Sequence, residues 1–140
     1  MKEELIKILK DGGHSLVVAG NEVRTFDGRG VADLYCLLTM HPDQLSGASV
    51  ADKIVGKGAA ALMALGKVKE VYADVISMPA LHLLENADVP TRYGVLVTNI
   101  INRAGTGLCP IETRCLSCHT SEECFVQIKG FLKERMNNNN

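Results

Sequence analysis

Tryptophan is absent from these 140 residues, and phenylalanine and tyrosine number three each. Such a chain has few rings on which bases could stack, so a nucleic-acid platform is not expected. Charge of either sign is also lacking in excess. The 15 Lys and Arg against 16 Asp and Glu leave a formal net charge of −1, with no basic face for phosphates. No apolar run approaches the roughly 20 residues that span a bilayer. The first residues, Met1-Lys2-Glu3-Glu4, open a charged helix rather than a signal peptide. These absences lead to the expectation of a cytoplasmic protein with no membrane and no nucleic-acid partner. Its five cysteines are then expected to be thiols or metal ligands rather than disulfides. A small-molecule ligand is the partner left, and a homo-oligomer is compatible with the sequence.

The chain is long enough for a proper core, and 46% of it is hydrophobic. Lys2 to Lys10 reads as an amphipathic helix stopped by Asp11-Gly12-Gly13. Ser15 to Ala19 and Glu22 to Phe26 are β-rich runs joined by Gly20-Asn21, a hairpin signal. Asp27-Gly28-Arg29-Gly30 leads into a helix over Val31 to Thr39; it is read as a turn, lacking the further residues of a phosphate loop. His41 to Gly47 is read as loop. Val68 to Ile76 and Tyr93 to Ile101 read as buried strands. Between them lies a helix to about Ala87 with Pro79 in its first turn. Pro110 starts a short helical turn, and Thr120, with Glu123 three residues on, caps a last helix to Met136. The expected organisation is one α/β domain over residues 1–136 and a disordered Asn137 to Asn140 tail.

The segment Ser49 to Leu65 holds the centre of this order. Ser49 with Asp52 three residues later resembles a capping box, and Gly66 sits where a helix stops, which predicts one nearly all-apolar helix. Asp52, Lys53 and Lys57 are its only charges. The two lysines either line a site beside Asp52 or run their stems out to solvent. Strands joined through helices lie parallel, and the hairpin adds an antiparallel pair, so a layered α/β domain with a mixed sheet is expected.

Gly47 to Lys57, Lys69-Glu70-Val71-Tyr72-Ala73 and Asn102 to Glu112 resemble an uncharacterised prokaryotic family, DUF1893, placed among the cytidine deaminase-like folds. The resemblance implies a three-layer α/β/α domain and gives no activity. Deaminases of that fold bind zinc through a His-Ala-Glu triplet and a Pro-Cys-x-x-Cys segment, and the metal activates water. Here the best matches are Val50-Ala51-Asp52 and Pro79-Ala80-Leu81-His82-Leu83. Val50, Ala80 and Leu83 cannot ligate zinc, so zinc-dependent deamination and a core metal are not expected.

A zinc-free crevice between two helix N-termini, at Ser49 and Pro79, would favour anions. The candidate binding residues are Lys57, Ser77, Asn102 and Arg103, with a small anionic or nucleotide-like ligand. The candidates for metal-free catalysis are Asp52 as acid/base and Lys53 or Cys109 as nucleophile, Cys109 because it precedes Pro110 at a helix N-cap. Cys109, Cys115, Cys118 and Cys124, with His119 beside them, have the ligand count for zinc or an iron–sulfur cluster. Glu122 and Glu123 disfavour that cluster. Free thiols are expected in an ordinary preparation, with Cys115 and Cys118 close together and Cys36 buried elsewhere.

Overall fold

The computed structural model describes residues 2–28, 31–101 and 105–138. Helix α1 (Lys2–Asp11) precedes strands β1 (Leu16–Ala19) and β2 (Val23–Phe26), which pair antiparallel across the Gly20-Asn21 turn. Two helices follow, α2 (Ala32–Met40) and the single turn α3 (Pro42–Leu45), the latter where a loop is expected. Pro42 at its first position is suited to starting a helix.

The central segment is not one helix. Ser49–Val55 is strand β3, and only Lys57–Leu65 is helical, as α4. Gly56 links them in an extended conformation, with φ −95° and ψ 179°. β3 pairs antiparallel with β1 and parallel with β4 (Glu70–Ser77), so both of its edges are bonded. An interior strand and an interior helix carry the same continuous apolar signal, and periodicity cannot separate them. Ser49 is therefore not a helix cap; its hydroxyl donates across the strands to the Glu70 carboxylate at 2.5 Å. Gly66 follows the last residue of α4, as expected, with φ −74°, and Lys67 takes the left-handed φ of 60°.

β4 leads into α5 (Met78–Asn86) and then β5 (Thr91–Val97), parallel to β4 at the sheet edge. The sheet order is β2-β1-β3-β4-β5. The segment expected to be a second buried strand is exposed for most of its length, with Tyr93 at 42% and Val95 at 54% exposure, because among the described residues no strand pairs with its outer edge. The chain closes with α6 (Pro110–Cys115) and α7 (Ser121–Asn138). Thr120 Oγ1 accepts from the Glu123 N–H at 3.1 Å, the expected cap. α7 runs to Asn138, into the segment expected to be a disordered tail; Asn139 and Asn140 lie outside the described residues.

Helix α1 covers one sheet face, burying Leu5 and Leu9 on Val17, Ala19 and Ala51. The main core lies on the other face, where Val50, Val55 and Ile76 meet Leu62 and Met63 of α4, Leu84 of α5 and Ile128 of α7. α4 packs against α5, α7 and the Pro110–Cys115 helix α6, and Gly58 makes the approach of α6 and α7 possible. A Cβ there would collide with the Ile111 Cγ2 methyl and lie 3.3 Å from Ile128 Cδ1. Gly58→Ala is expected to lower stability by about 1–3 kcal/mol through overpacking, more than the gain of about 1 kcal/mol in helix propensity. The urea midpoint reads this directly.

Candidate functional site

In sheets of parallel strands, ligands gather beyond the carboxyl ends, where the following helices begin. Here those ends are Val55 of β3 and Ser77 of β4, leading into α4 and α5. Both helix starts are satisfied from within the chain. Glu112, only 2% exposed, places Oε1 2.8 Å from the Lys57 N–H and Oε2 2.7 Å from the Ile100 N–H. An internal carboxylate thus takes the position an anionic ligand would occupy at the α4 N-terminus. Ser77 is fully buried, and its Oγ accepts from the Ala80 N–H at 3.3 Å, capping α5. The two helix starts expected to favour an anion are therefore capped by the protein's own groups.

Lys57 leaves this closed end sideways. Its Nζ donates to the Cys118 carbonyl at 2.6 Å and the Leu116 carbonyl at 3.3 Å, tying the α6–α7 turn to the start of α4. Its expected partner was Asp52 or a ligand anion; carbonyls replace them because Asp52 stands in the strand. An ammonium carries three N–H donors, and these two bonds engage two of them.

Around this tie, Cys115, Cys118 and Cys124 come together. Cys115 and Cys124 are fully buried and Cys118 is 9% exposed. The neighbouring Cys124 thiol holds Cys115 below the ordinary thiol range, with burial opposing it and the Lys57 charge helping. Burial, with Cys124 beside it, pushes Cys118 up. Cys124 is pushed well up, first by its bond to Cys115 and then by burial. Cys109 does not join them as a fourth ligand. It sits at the N-cap of α6, its carbonyl accepting from Thr113, and packs partly against the main core. Among the described residues, no group of three or more His, Cys, Asp or Glu could hold a metal ion. Cys36, expected to be buried, is exposed on α2, its thiol 4.0 Å from the Met40 sulfur.

Beside the cysteines, a cleft of about 480 Å³ opens between α5 and the start of α7. Its polar lining comprises Lys57, His82, Asn86, His119, Thr120 and Ser121, with Cys118 also lining it and Pro79, Leu83 and Ala87 as its apolar wall. No carboxylate lines it among the described residues. His82 and Asn86, four residues apart, present one face of α5.

Of the residues expected to form a site, the structure brings Lys57 and Cys118 to this cleft and Cys115 and Cys124 just behind it. Asp52 and Lys53 are elsewhere. Neighbours on a strand point to opposite faces, so Asp52 is buried while Lys53 is exposed. Asn102 and Arg103 lie outside the described residues. His82, Asn86, Ser121 and Glu112 were not among the expected site residues. The i, i+4 spacing of His82 and Asn86 was the available signal for the first two. No helix of the described residues is long and apolar enough to cross a membrane.

No curated protein matches the chain. The fold is similar to the crystal structure, at 2.70 Å resolution, of a DUF1893 family protein, TM1506, from Thermotoga maritima. The TM-score is 0.85 at 25% identity, and the match covers 92% of this chain and 88% of that one. The family model of DUF1893, a domain of unknown function, matches residues 4–132. The chain belongs to the DUF1893 family.

Proposed function

We propose that this protein binds a small anionic, nucleotide-sized molecule in the cleft between α5 and α7, on a zinc-free scaffold of the cytidine deaminase-like kind. The observation that carries the ligand class is the lining. One lysine, two histidines, an amide and two hydroxyls face a cleft with no carboxylate to repel an anion. The volume of about 480 Å³ falls within the roughly 300–1,000 Å³ of small-molecule sites. Lys57 supplies a fixed positive charge already oriented by two carbonyls, so little conformational freedom is lost when it meets an anion.

Support for the scaffold comes from the element order: an antiparallel hairpin, a helix, then parallel strands linked by helices, with Pro79 in the first turn of α5. The zinc of that fold does not suit these residues. With β3 ending at Val55, the helix after it opens with Lys57-Gly58-Ala59, none of them a zinc ligand. On α5, His82 stands alone among Pro79, Ala80, Leu81 and Leu83. Binding is therefore proposed without activation of water by a metal. Asp52, Lys53 and Cys109 stand apart in the fold, which leaves the nucleophile reading without a shared site.

Calorimetry with inorganic pyrophosphate and nucleoside monophosphates tests the proposal. The parent is expected to bind at least one of these. His82→Ala combined with His119→Ala should weaken that binding by about tenfold or more, roughly 1.4 kcal/mol. Lys53→Met, on the exposed side of β3, should change nothing. No binding by the parent, or equal loss from Lys53→Met, would overturn it.

A further inference from the structure

Strand β5 ends the sheet on one side, and it is not built like an edge that stays unpaired. Edges that stay free are blunted by shortness, proline or charge. The opposite edge follows that rule, since β2 has only four residues. β5 runs for seven, Thr91–Val97, with no proline and one charge, Arg92, which Glu3 of α1 already engages at 3.2 Å. Its Tyr93, Val95 and Leu96 are exposed, and Val95 lies in register with Val75 and, beyond it, Ile54, which is 48% exposed. An apolar row thus crosses three strands and stops at the β5 edge. The ladder to β4 decides which backbone groups of that edge are left over. The Val71 N–H donates to the Pro90 carbonyl. Alternate residues of a parallel strand bond to one neighbour, so Arg92, Gly94 and Leu96 turn their N–H and C=O groups to β4. Thr91, Tyr93, Val95 and Val97 turn theirs outward.

We propose that a second copy of this chain pairs antiparallel with β5 about a two-fold axis at Gly94, joining the two five-stranded sheets into one. In that register Tyr93 faces Val95 of the second copy, Thr91 faces Val97, Arg92 faces Leu96, and Gly94 faces its own equivalent. All four outward-turned residues then exchange N–H···O bonds, and the two Tyr–Val pairs are of the aromatic and β-branched kind that stabilises sheets. No like charges are opposed. Moving the axis to Arg92 would set two guanidinium groups against each other and take Val95 out of the ladder. The two-fold closes the contact at two chains, whereas β5 on the β2 of another copy would continue without end. Seven residues a side with their neighbours are few beside the roughly 20–30 of a standard interface. The dimer is therefore expected to be concentration-dependent, dissociating at roughly 1–100 μM. The pairing rests on no property of the cleft between α5 and α7.

Sedimentation equilibrium of the full chain, from about 1 μM to about 1 mM, should show a reversible monomer–dimer equilibrium. Val95→Pro removes an N–H that points out of the sheet, so the chain keeps its own ladder while the dimer loses two bonds. Its dissociation constant should rise about ten- to a hundredfold, with the circular dichroism of the monomer unchanged. Val95→Lys, which charges the edge and leaves the backbone alone, should weaken the dimer likewise. The register is read by cross-linking two chains that both carry Cys36→Ser and Cys109→Ser, one with Tyr93→Cys and one with Val95→Cys. Oxidation of the mixture should join positions 93 and 95 between chains, by peptide mass mapping. Neither chain alone should cross-link, because its two new sulfurs lie diagonally across the pair, beyond disulfide reach. A chain monomeric at about 1 mM, growth beyond the dimer, a dimer indifferent to both Val95 variants, or a mixture that does not cross-link would each overturn the proposal.

Discussion

Glu112→Ala is expected to lower the stability of this protein by about 3–5 kcal/mol. The Glu112 carboxylate is almost fully buried and accepts two backbone N–H groups, one opening α4 and one at Ile100. Each buried donor left unpaired costs about 1–3 kcal/mol, and the start of α4 also loses a favourable charge at its positive end. At roughly 3 °C per kcal/mol for a chain of this size, the melting temperature should fall by about 10–15 °C. Glu112→Gln should fall between parent and alanine. Its carbonyl keeps one N–H, while its amide nitrogen faces the other as donor against donor. Thermal unfolding followed by circular dichroism measures all three. A Gln variant as stable as the parent would show that neither the charge nor the second oxygen matters. The same carboxylate holds the place of an anion at the start of α4, so Glu112→Ala is also the variant in which an added anion should restore stability.

Asp52→Asn should act in the opposite direction, and the gain should grow with pH. Burial raises the Asp52 carboxyl from 3.8 to about 8, opposed by the N–H groups of Ile54 and Lys53 and reinforced by the charges of Asp74 and Asp33. The sign follows from proton counting. Between pH 3.8 and 8 the folded chain holds this proton and the unfolded chain does not, so raising the pH through that window favours unfolding. The slope from this one group is at most about 1.4 kcal/mol per pH unit. Above the window both states are ionised and the slope vanishes; below it both are protonated. Asparagine carries no such proton, keeps an oxygen for the same N–H groups, and should gain on the order of 2–5 kcal/mol at pH 9. At pH 4 the gain should nearly disappear. Urea unfolding of parent and variant at pH 4, 7 and 9 isolates the difference, since all other carboxylates are common to both. Parallel stability curves would mean that Asp52 is ionised in the folded protein.

The two residues contrast in how visible their roles are along the chain. Glu112 stands in Cys109-Pro110-Ile111-Glu112, a helix start in which an acidic residue is unremarkable. Its partner Lys57 is 55 residues away, so only the packed fold shows that it caps another helix. Asp52 was legible as an unusual charge in an apolar run, but its role depended on whether that run was helix or strand. As a helix, it would have shared a crevice with Lys53; as a strand, the two face opposite ways.

What the amino-acid sequence determined by itself is the set of features built from near neighbours. The Gly20-Asn21 turn closes the hairpin, Thr120 and Glu123 start α7, and Pro79 lies in the first turn of α5. Only the tertiary structure decided that Ser49–Val55 lies in the sheet, that β5 is an exposed edge, and that Glu112 caps the start of α4 while a cleft opens between α5 and α7. The reason is physical. Caps and turns are decided by hydrogen bonds within a few residues, whereas an apolar run buries equally well as strand or helix until its neighbours are in place. Which helix start receives which carboxylate depends on contacts that form only when the whole sheet and its covering helices have assembled.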